Sequence, residues 1–136
     1  MDPLKSITSI AASGMHAQGQ RLRIVAENVA NADSRGTTPG ADPYRRKTVS
    51  FEEMIDRESG AALVKVGEIG RDTTDFTLVH DPAHPAADEN GFVKVPNVNA
   101  IIEMTNMREA ARSYEANMNM YEAGRAMRQQ ILDLLK

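Results

Sequence analysis

The chain has 136 residues, a length typical of one domain. Its few aromatic residues argue against a large hydrophobic core. Its formal net charge of −3 argues against a general nucleic-acid-binding protein, because such proteins are usually basic. No apolar run approaches the ~18 residues of a membrane-spanning helix, and the absence of cysteine excludes disulfides and thiolate metal sites.

The first predicted element is a helix from Leu4 to Val29. Apolar and small residues recur in it at spacings of three and four, and this narrow stripe is typical of a coiled-coil seam. Asp2 followed by Pro3 fits a helix N-cap with proline in the first turn. The same N-terminus has no basic segment followed by a continuous apolar one, so a Sec-type signal peptide is not expected.

The segment from Asn31 to Pro96 is rich in asparagine, glycine and proline, which favour turns and loops. Short apolar runs within it predict strands, although Phe51–Ile55 could instead form a helical turn. The predicted strands are Thr48–Phe51, Ala62–Val66, Phe76–Val79 and Phe92–Val95. We therefore expect a small β-rich module with long loops.

A second helix is predicted from Asn97 or Asn99 to Leu135. Either asparagine can cap it, and Glu103 lies in the first turn, where the helix dipole favours an acidic residue. At 1.5 Å per residue this helix would be roughly 55 Å long, which exceeds the diameter of a compact domain of this size. Its several methionines suit buried contacts, either within the chain or between chains, because thioether side chains adapt to different neighbours.

The predicted fold class is α+β, with long N- and C-terminal helices that pair as a coiled coil and a small β-rich middle module inserted between them. The corresponding segments are residues 1–33, 34–96 and 97–136. Charges balance in both helical segments, and the negative excess lies in the middle segment. This distribution suggests that the terminal helices face other protein and that the middle module faces solvent.

The histidines are the best candidates for chemistry, but the pattern around them favours a loop. His80 and His84 are four residues apart with Asp88 nearby, a spacing that would form a metal pair on a helix. Pro82 and Pro85 disfavour a helix there, so we interpret the segment as an ordered surface loop and expect neither a metal nor a cofactor. No nucleotide-binding or nucleophile motif occurs, and the protein is predicted not to be an enzyme.

A short basic run, Arg45-Arg46-Lys47, follows Tyr44. Such a run could contact nucleic acid or phosphate. Three positive charges in an acidic segment more readily form a salt-bridged loop, so no nucleic-acid partner is predicted.

Several motifs resemble the flagellar basal-body rod protein family of bacteria. The segment AENVAN at 26–31 is similar to the family's A-N-N-x-A-N signature and departs from it at Glu27. The resemblance extends over nearly the whole chain, in order, and is strongest to the proximal rod members. The further motifs are PYRRK (43–47), DPAHP (81–85), ENGFVKVPNVN (89–99), EMTNM (103–107) and RSYEAN (112–117).

The resemblance implies a structural role in the flagellar basal body. Family members are exported by the flagellar type III apparatus without a Sec signal and assemble helically in the periplasm. Their hollow rod transmits motor torque to the hook and lets export substrates pass. The terminal helices would pack against copies of the chain and other rod proteins as an inner tube, with the middle module outside and no insertion into the membrane.

The predicted subunit interface lies on both helices and on the segment that precedes the second helix. The apolar stripe that contains Val25 is expected to pack against the stripe that contains Tyr114. The interface residues are Leu4, Ile7, Ala11, Leu22, Val25, Asn28, Val29, Asn31, Pro96, Asn97, Asn99, Met104, Met107, Tyr114, Met118, Tyr121, Leu132 and Leu135.

Other interpretations remain open from the residues alone. The chain could be a different rod or hook-basal-body axial subunit with the same architecture. From a different class, a cytoplasmic coiled-coil adaptor or an export chaperone would have the same helical ends. A metal hydrolase built on His80, His84 and Asp88 is the least favoured alternative.

Overall fold

The computed structural model describes residues 2–136, which form two long helices and four strands. Helix α1 spans Pro3–Ala30 and helix α2 spans Ala100–Leu134. The strands are β1 (Lys47–Ile55), β2 (Ala62–Arg71), β3 (Thr77–His80) and β4 (Phe92–Val95). The predicted α+β class, with a helix at each end and a small β-rich middle, is confirmed.

Both helices begin at a side chain that accepts hydrogen bonds from free backbone amides of the first turn. The Asp2 Oδ1 atom accepts from the N–H of Leu4 at 3.0 Å. The Asn99 Oδ1 atom accepts from the N–H groups of Ile101 and Ile102 at 3.1 and 3.3 Å. Of the two asparagines that could cap α2, Asn99 is therefore the cap.

The strands form two separate two-stranded sheets. Strand β1 pairs with β2, and β3 pairs antiparallel with β4, with Thr77 opposite Val95 and His80 opposite Phe92. Strands β1 and β2 are longer than their sequence pattern predicted. Phe51–Ile55 belongs to β1 and is not a helical turn, because pairing with β2 supplies its backbone with hydrogen-bonding partners.

The chain forms two compact units, and each helix contributes to both. The helix-pair unit contains α1 up to Leu22, Val49–Glu68 and Arg108–Lys136. The loop unit contains Arg23–Thr48 and Ile69–Met107. The predicted division into segments 1–33, 34–96 and 97–136 describes the parts of the assembled rod, so it stays a prediction.

In the helix-pair unit, α1 and α2 run antiparallel and approach closely at two glycines. A Cβ atom on Gly14 would lie 2.5 Å from Oδ1 of Asn117, and one on Gly124 would lie 2.9 Å from Cγ2 of Thr8. Both distances are too short for a side chain to be added without movement of its neighbour. The small residues of the predicted seam therefore permit close approach of the two helices.

The register of this pair in the single chain is visible from two further contacts. Tyr114 lies beside Gly19, where a Cβ atom would be 3.9 Å from Cε2 of the tyrosine, and Arg21 forms an ion pair with Glu109 at 3.4 Å. Val25 is buried and belongs to the loop unit, and its expected packing against the Tyr114 stripe in assembled rods stays a prediction. The close approaches at the glycines fix a register that the spacing of apolar residues could not specify.

The buried apolar side chains described for the helix-pair unit are small. They are all alanines, namely Ala11, Ala17, Ala61 and Ala110. Hydrophobic stabilisation is roughly proportional to the apolar area removed from water. This unit therefore gains little stability from its own core compared with a unit that buries leucines or phenylalanines.

The two glycines of α1 provide a matched pair for testing this packing. We expect Gly14→Ala to lower the free energy of unfolding, because overpacking costs about 1–3 kcal/mol and the gain in helix propensity returns only about 1 kcal/mol. Gly19→Ala should instead raise it, because the added methyl group meets only an ordinary contact. Urea denaturation of the purified chain measures both effects, and stabilisation by both substitutions would contradict the close approach at Gly14.

Candidate functional site

The basic run and the tyrosine before it contact four separate parts of the loop unit. We call this arrangement the clasp. It consists of Tyr44, Arg45, Arg46 and Lys47 together with their partners Asn28, Asp72, Asn97 and Glu103.

Asn28 connects the last turn of α1 to the start of β1. Its side chain is only 1 % exposed, and its Oδ1 atom accepts from the N–H of Lys47 at 2.9 Å and from the hydroxyl of Tyr44 at 2.7 Å. Its Nδ2 atom donates to the carbonyl oxygen of Lys47 at 2.9 Å. The carboxamide thus pairs with the backbone of Lys47 in both directions, as a neighbouring strand would. Burial raises the pKa of Tyr44, which keeps the hydroxyl protonated and able to donate.

Glu27, the position that departs from the family signature, also has a partner in the loop unit. Its Oε2 atom lies 2.7 Å from Nζ of Lys47, and this hydrogen-bonded ion pair lowers the pKa of the Glu27 carboxyl. Both side chains remain accessible to solvent, where such a pair contributes little to stability. The glutamate is therefore accommodated without disturbing Asn28.

Arg46 pairs with a buried carboxylate. Glu103 is 1 % exposed, and its Oε1 atom accepts a hydrogen bond from Nε of Arg46. The same guanidinium lies 3.4 Å from Oδ2 of Asp72 through Nη1. Because removal of one member of a buried pair leaves an uncompensated charge, Arg46 is required wherever Glu103 is buried.

The segment that follows β2 is held by two clasp side chains. Asn97 donates through Nδ2 to the carbonyl oxygens of Asp72 and Thr74 at 3.0 and 3.1 Å. Arg45 donates through Nη1 to the same two carbonyls at 2.8 and 3.1 Å, and its guanidinium lies 4.2 Å from the centre of the Phe76 ring. The Oδ1 atom of Asn97 also accepts from the N–H of Arg46 at 2.8 Å. Arg46 and Lys47 thus form the ion pairs of the salt-bridged loop that the sequence favoured, while Arg45 bonds to backbone carbonyls.

The predicted interface asparagines use their polar groups inside the chain. Asn28 and Asn97 belong to the clasp, and Asn31 follows α1, where Nδ2 donates to the carbonyl of Glu27 at 2.9 Å and Oδ1 accepts from Ser34. Asn99 caps α2, and the neighbouring Pro96 is buried in the loop unit. Their contacts with other subunits stay a prediction.

The sequence analysis missed the role of Glu103 as a buried partner. An acidic side chain in the first turn of a helix is usually exposed to solvent and interacts with the helix dipole, so its position alone gave no sign of burial.

The second feature of interest is the apolar surface of α2. Large apolar side chains on this helix are exposed in both units, and contiguous exposed apolar surface is typical of protein–protein interfaces. Among the predicted interface residues, Ala11 and Val25 are buried within the chain. The partly buried ones are Leu4, Ile7, Leu22, Val29, Met107 and Tyr121. The exposed ones are Met104, Tyr114, Met118, Leu132 and Leu135.

The two histidines of the segment 80–84 make contacts within the chain. His84 accepts through Nδ1 from the N–H of Ala86 at 3.0 Å, and His80 packs edge-on against Phe92 with the ring centres 5.1 Å apart. Within residues 2–136, no group of three or more histidine, cysteine or acidic side chains is arranged to hold a metal ion. Neither helix in that range has an apolar stretch long enough to cross a membrane.

Comparison with known proteins gives matches at both ends of the chain and over its whole length. Residues 9–37 match the family model of the flagella basal body rod protein, and residues 89–134 match that of the flagellar basal body rod FlgEFG protein C-terminal region. The flagellar basal-body rod protein FlgC of Agrobacterium fabrum is 55 % identical over 136 residues, which cover 100 % of this chain and 98 % of that protein. FlgC of Salmonella typhimurium is 41 % identical over 133 residues, covering 96 % and 97 % of the two chains.

The chain belongs to the FlgC family of flagellar basal-body rod proteins. It is therefore a structural subunit of the rod, and its place is the flagellar basal body. FlgC of the more distant Borreliella burgdorferi is still 32 % identical over 150 aligned residues, with 98 % of each chain covered. The resemblance predicted from the motifs is confirmed, and membership of a rod family implies assembly with other rod components.

The two matched ranges of the FlgC family member contain three of the clasp partners. Asn28 lies in the first range, and Asn97 and Glu103 lie in the second. The basic run at 45–47 lies between the ranges, and the structure brings it to all three. The ends of the chain that define the family are thus joined through a segment outside both matches.

The buried pair of the clasp can be tested by substitution. We expect Arg46→Met to lower the free energy of unfolding by about 3 kcal/mol, because Glu103 is left buried and unpaired. Lys47→Met should cost much less, because the partner of Lys47 is accessible to water. Urea denaturation measures both, and the double variant Arg46→Met/Glu103→Leu should recover most of the loss. Equal losses for the two single variants would contradict the role of Glu103.

The acid dependence of stability tests a second part of the clasp. Hydrogen bonds from the N–H and hydroxyl of Thr74 lower the pKa of Asp72, with a further contribution from Arg46. Because the folded-state pKa lies below the unfolded one, this stabilisation is present above the ordinary aspartate range and is lost as the pH falls through the folded-state value. Thr74→Ala should therefore be less stable than the parent at pH 6, and the difference should shrink below about pH 4. A difference that stays constant on acidification would contradict this assignment.

Proposed function

We propose that the chain assembles helically into the proximal rod and that the exposed apolar surface of α2 packs against neighbouring subunits. The observation that carries the proposal is the exposure of large apolar side chains along α2, while the buried apolar side chains described for the helix-pair unit are alanines. Burying one large apolar side chain contributes about 1.5–3 kcal/mol relative to leaving it exposed. Contacts between subunits would therefore supply stabilisation that the unit's own core does not.

The terminal helices form the inner tube of the proposed assembly as a coiled coil, and residues 34–96 form its outer part. The antiparallel packing of α1 against α2 in the helix-pair unit supports this arrangement. The balanced charges of the two helical segments support it too, because neutral surfaces with mixed charges pack side by side without mutual repulsion. The predicted contacts of Met104, Tyr114, Met118, Leu132 and Leu135 belong to this tube.

In this proposal the rod is the hollow drive shaft that transmits motor torque to the hook and through which export substrates pass. The chain reaches the periplasm through the flagellar type III export apparatus, and its partners are copies of itself and other rod proteins. It has no catalytic role, cofactor or nucleic-acid partner. The family resemblance supports these roles, and the clasp supports the mechanical one, because its buried ion pair and hydrogen bonds resist deformation of the loop unit.

Electron microscopy of basal bodies from a strain that lacks this gene tests the proposal. We expect ring structures to remain and the rod and hook to be missing, because an early axial subunit is required for everything assembled after it. Expression of the parent chain should restore complete basal bodies. Complete hooks in the strain without the gene would contradict the proposed function.

A pair of neighbouring substitutions tests the surface of α2 within that assay. Met118→Asp should reduce the number of complete rods, because it places a charge in an apolar contact between subunits. Asn119→Asp adds the same charge at an exposed polar position next to it and should have a much smaller effect. Circular dichroism of both purified variants controls for folding. Normal rods with Met118→Asp would show that this part of α2 is not an interface.

A further inference from the structure

The sulfur of this chain is concentrated on one helix. The sequence has eight methionines and no cysteine, so no thiol competes with the thioethers for an oxidant that attacks sulfur. Helix α2 carries most of these methionines. They are Met104, Met107, Met118, Met120 and Met127.

Two of the methionines on α2 belong to an exposed apolar stripe of the helix-pair unit. Met120 and Met127 are 55 and 52 % exposed, and their spacing of seven residues places them on one side of the helix. Ile131 and Leu134 continue the same side, and both are exposed. The two thioethers therefore lie in an apolar surface that their own chain leaves in contact with solvent.

The neighbours of the two methionines on this surface do not shield them. Ala123 lies three residues after Met120 and four before Met127, the spacing at which side chains meet on a helix, and it is itself exposed. Its methyl group is too short to cover a thioether. Met15, on α1 of the same unit, is partly buried by contrast. A small oxidant thus has better access to the pair on α2 than to Met15.

A peroxide oxidises a thioether in a two-electron step. The O–O bond of the peroxide breaks, one oxygen is transferred to the methionine sulfur, and the other leaves as water. The apolar thioether becomes a sulfoxide, which is polar. Water satisfies the sulfoxide oxygen of an exposed side chain. In an apolar contact that excludes water, the same oxygen has no hydrogen-bond donor, and its burial is unfavourable.

We propose that Met120 and Met127 are a peroxide-sensitive modification site and that their oxidation hinders incorporation of the chain into the rod. The inference rests on the proposed function, because it requires the exposed apolar surface of α2 to pack against neighbouring subunits. The free chain is the vulnerable form. Once the chain is in the rod, the same contacts cover both thioethers and protect them.

Treatment of the purified chain with dilute hydrogen peroxide tests the site. Peptide mass spectrometry follows the gain of one oxygen atom at each methionine. We expect Met120 and Met127 to be oxidised several-fold faster than Met15, because oxidation follows exposure. Circular dichroism during the reaction checks that the helices stay folded. Equal rates at the three methionines in the folded chain would overturn the assignment of the site.

Substitutions test the effect on assembly without an oxidant. Glutamine is similar in length to methionine and ends in a group that accepts hydrogen bonds, as a sulfoxide does. In the strain that lacks the gene, Met120→Gln/Met127→Gln should reduce the share of basal bodies with complete rods several-fold. Met120→Leu/Met127→Leu should leave that share unchanged, because leucine keeps the apolar character and nearly the same volume.

A methionine outside α2 provides the matched control. Met54 lies on β1 of the same unit and is 42 % exposed, so Met54→Gln introduces the same amide at a comparably exposed position. It should assemble as the parent chain does. Normal rods with Met120→Gln/Met127→Gln would overturn the effect on assembly and leave the chain's place in the rod intact. Equal losses with the glutamine and leucine pairs would also overturn it, because polarity is then not the cause.

Isolated basal bodies separate this inference from the proposed function. We expect Met120 and Met127 to be oxidised several-fold more slowly there than in the purified chain, because neighbouring subunits cover them. Equal rates in basal bodies and in the purified chain would contradict the proposed packing of α2, and with it the protection. Faster oxidation of the pair than of Met15 in the purified chain would still identify the site.

Discussion

The burial of Glu103 is the constraint on which the loop unit depends. A carboxylate removed from water is costly unless it is paired, and Arg46 is the partner that meets this cost. Arg46 also approaches Asp72 and donates its backbone N–H to Asn97. One side chain therefore sets the positions of the start of β1, the segment after β2 and the first turn of α2. The neighbouring residues extend the same arrangement to the end of α1.

Residues of the family-like motifs have two different environments in the folded chain. Asn28 and Asn97 satisfy backbone groups inside the loop unit, so the motifs that contain them specify folding first. The apolar residues of α2 have the opposite character, because they stay exposed in the folded chain. In the proposed assembly, the clasp can hold the loop unit together while the exposed side chains of α2 contact neighbouring subunits, for which methionine is well suited because it adapts to different surroundings.

Local patterns in the sequence were sufficient to predict both helices, the Asp2 cap of α1 and the presence of four strands, but they left two candidate caps for α2 and made β1 and β2 too short. The register of α1 against α2 was beyond them, because Tyr114 meets Gly19 through close approaches at Gly14 and Gly124, and apolar spacing alone allows several registers. The contacts of the clasp could not be predicted from local patterns either, because Arg46 and Glu103 are 57 positions apart in the chain. Charge type identifies candidates for such a pair, and only the fold selects among them.

The alanine core of the helix-pair unit bears on how the single chain responds to mechanical force. Alanine side chains contribute little area to burial, so pulling this helix pair apart requires little work. On the proposed export route, this weak core would let the chain be extended and pass through a narrow channel more easily than a large aromatic core would. In the proposed assembly, resistance to shear would depend on contacts between chains and not on this core.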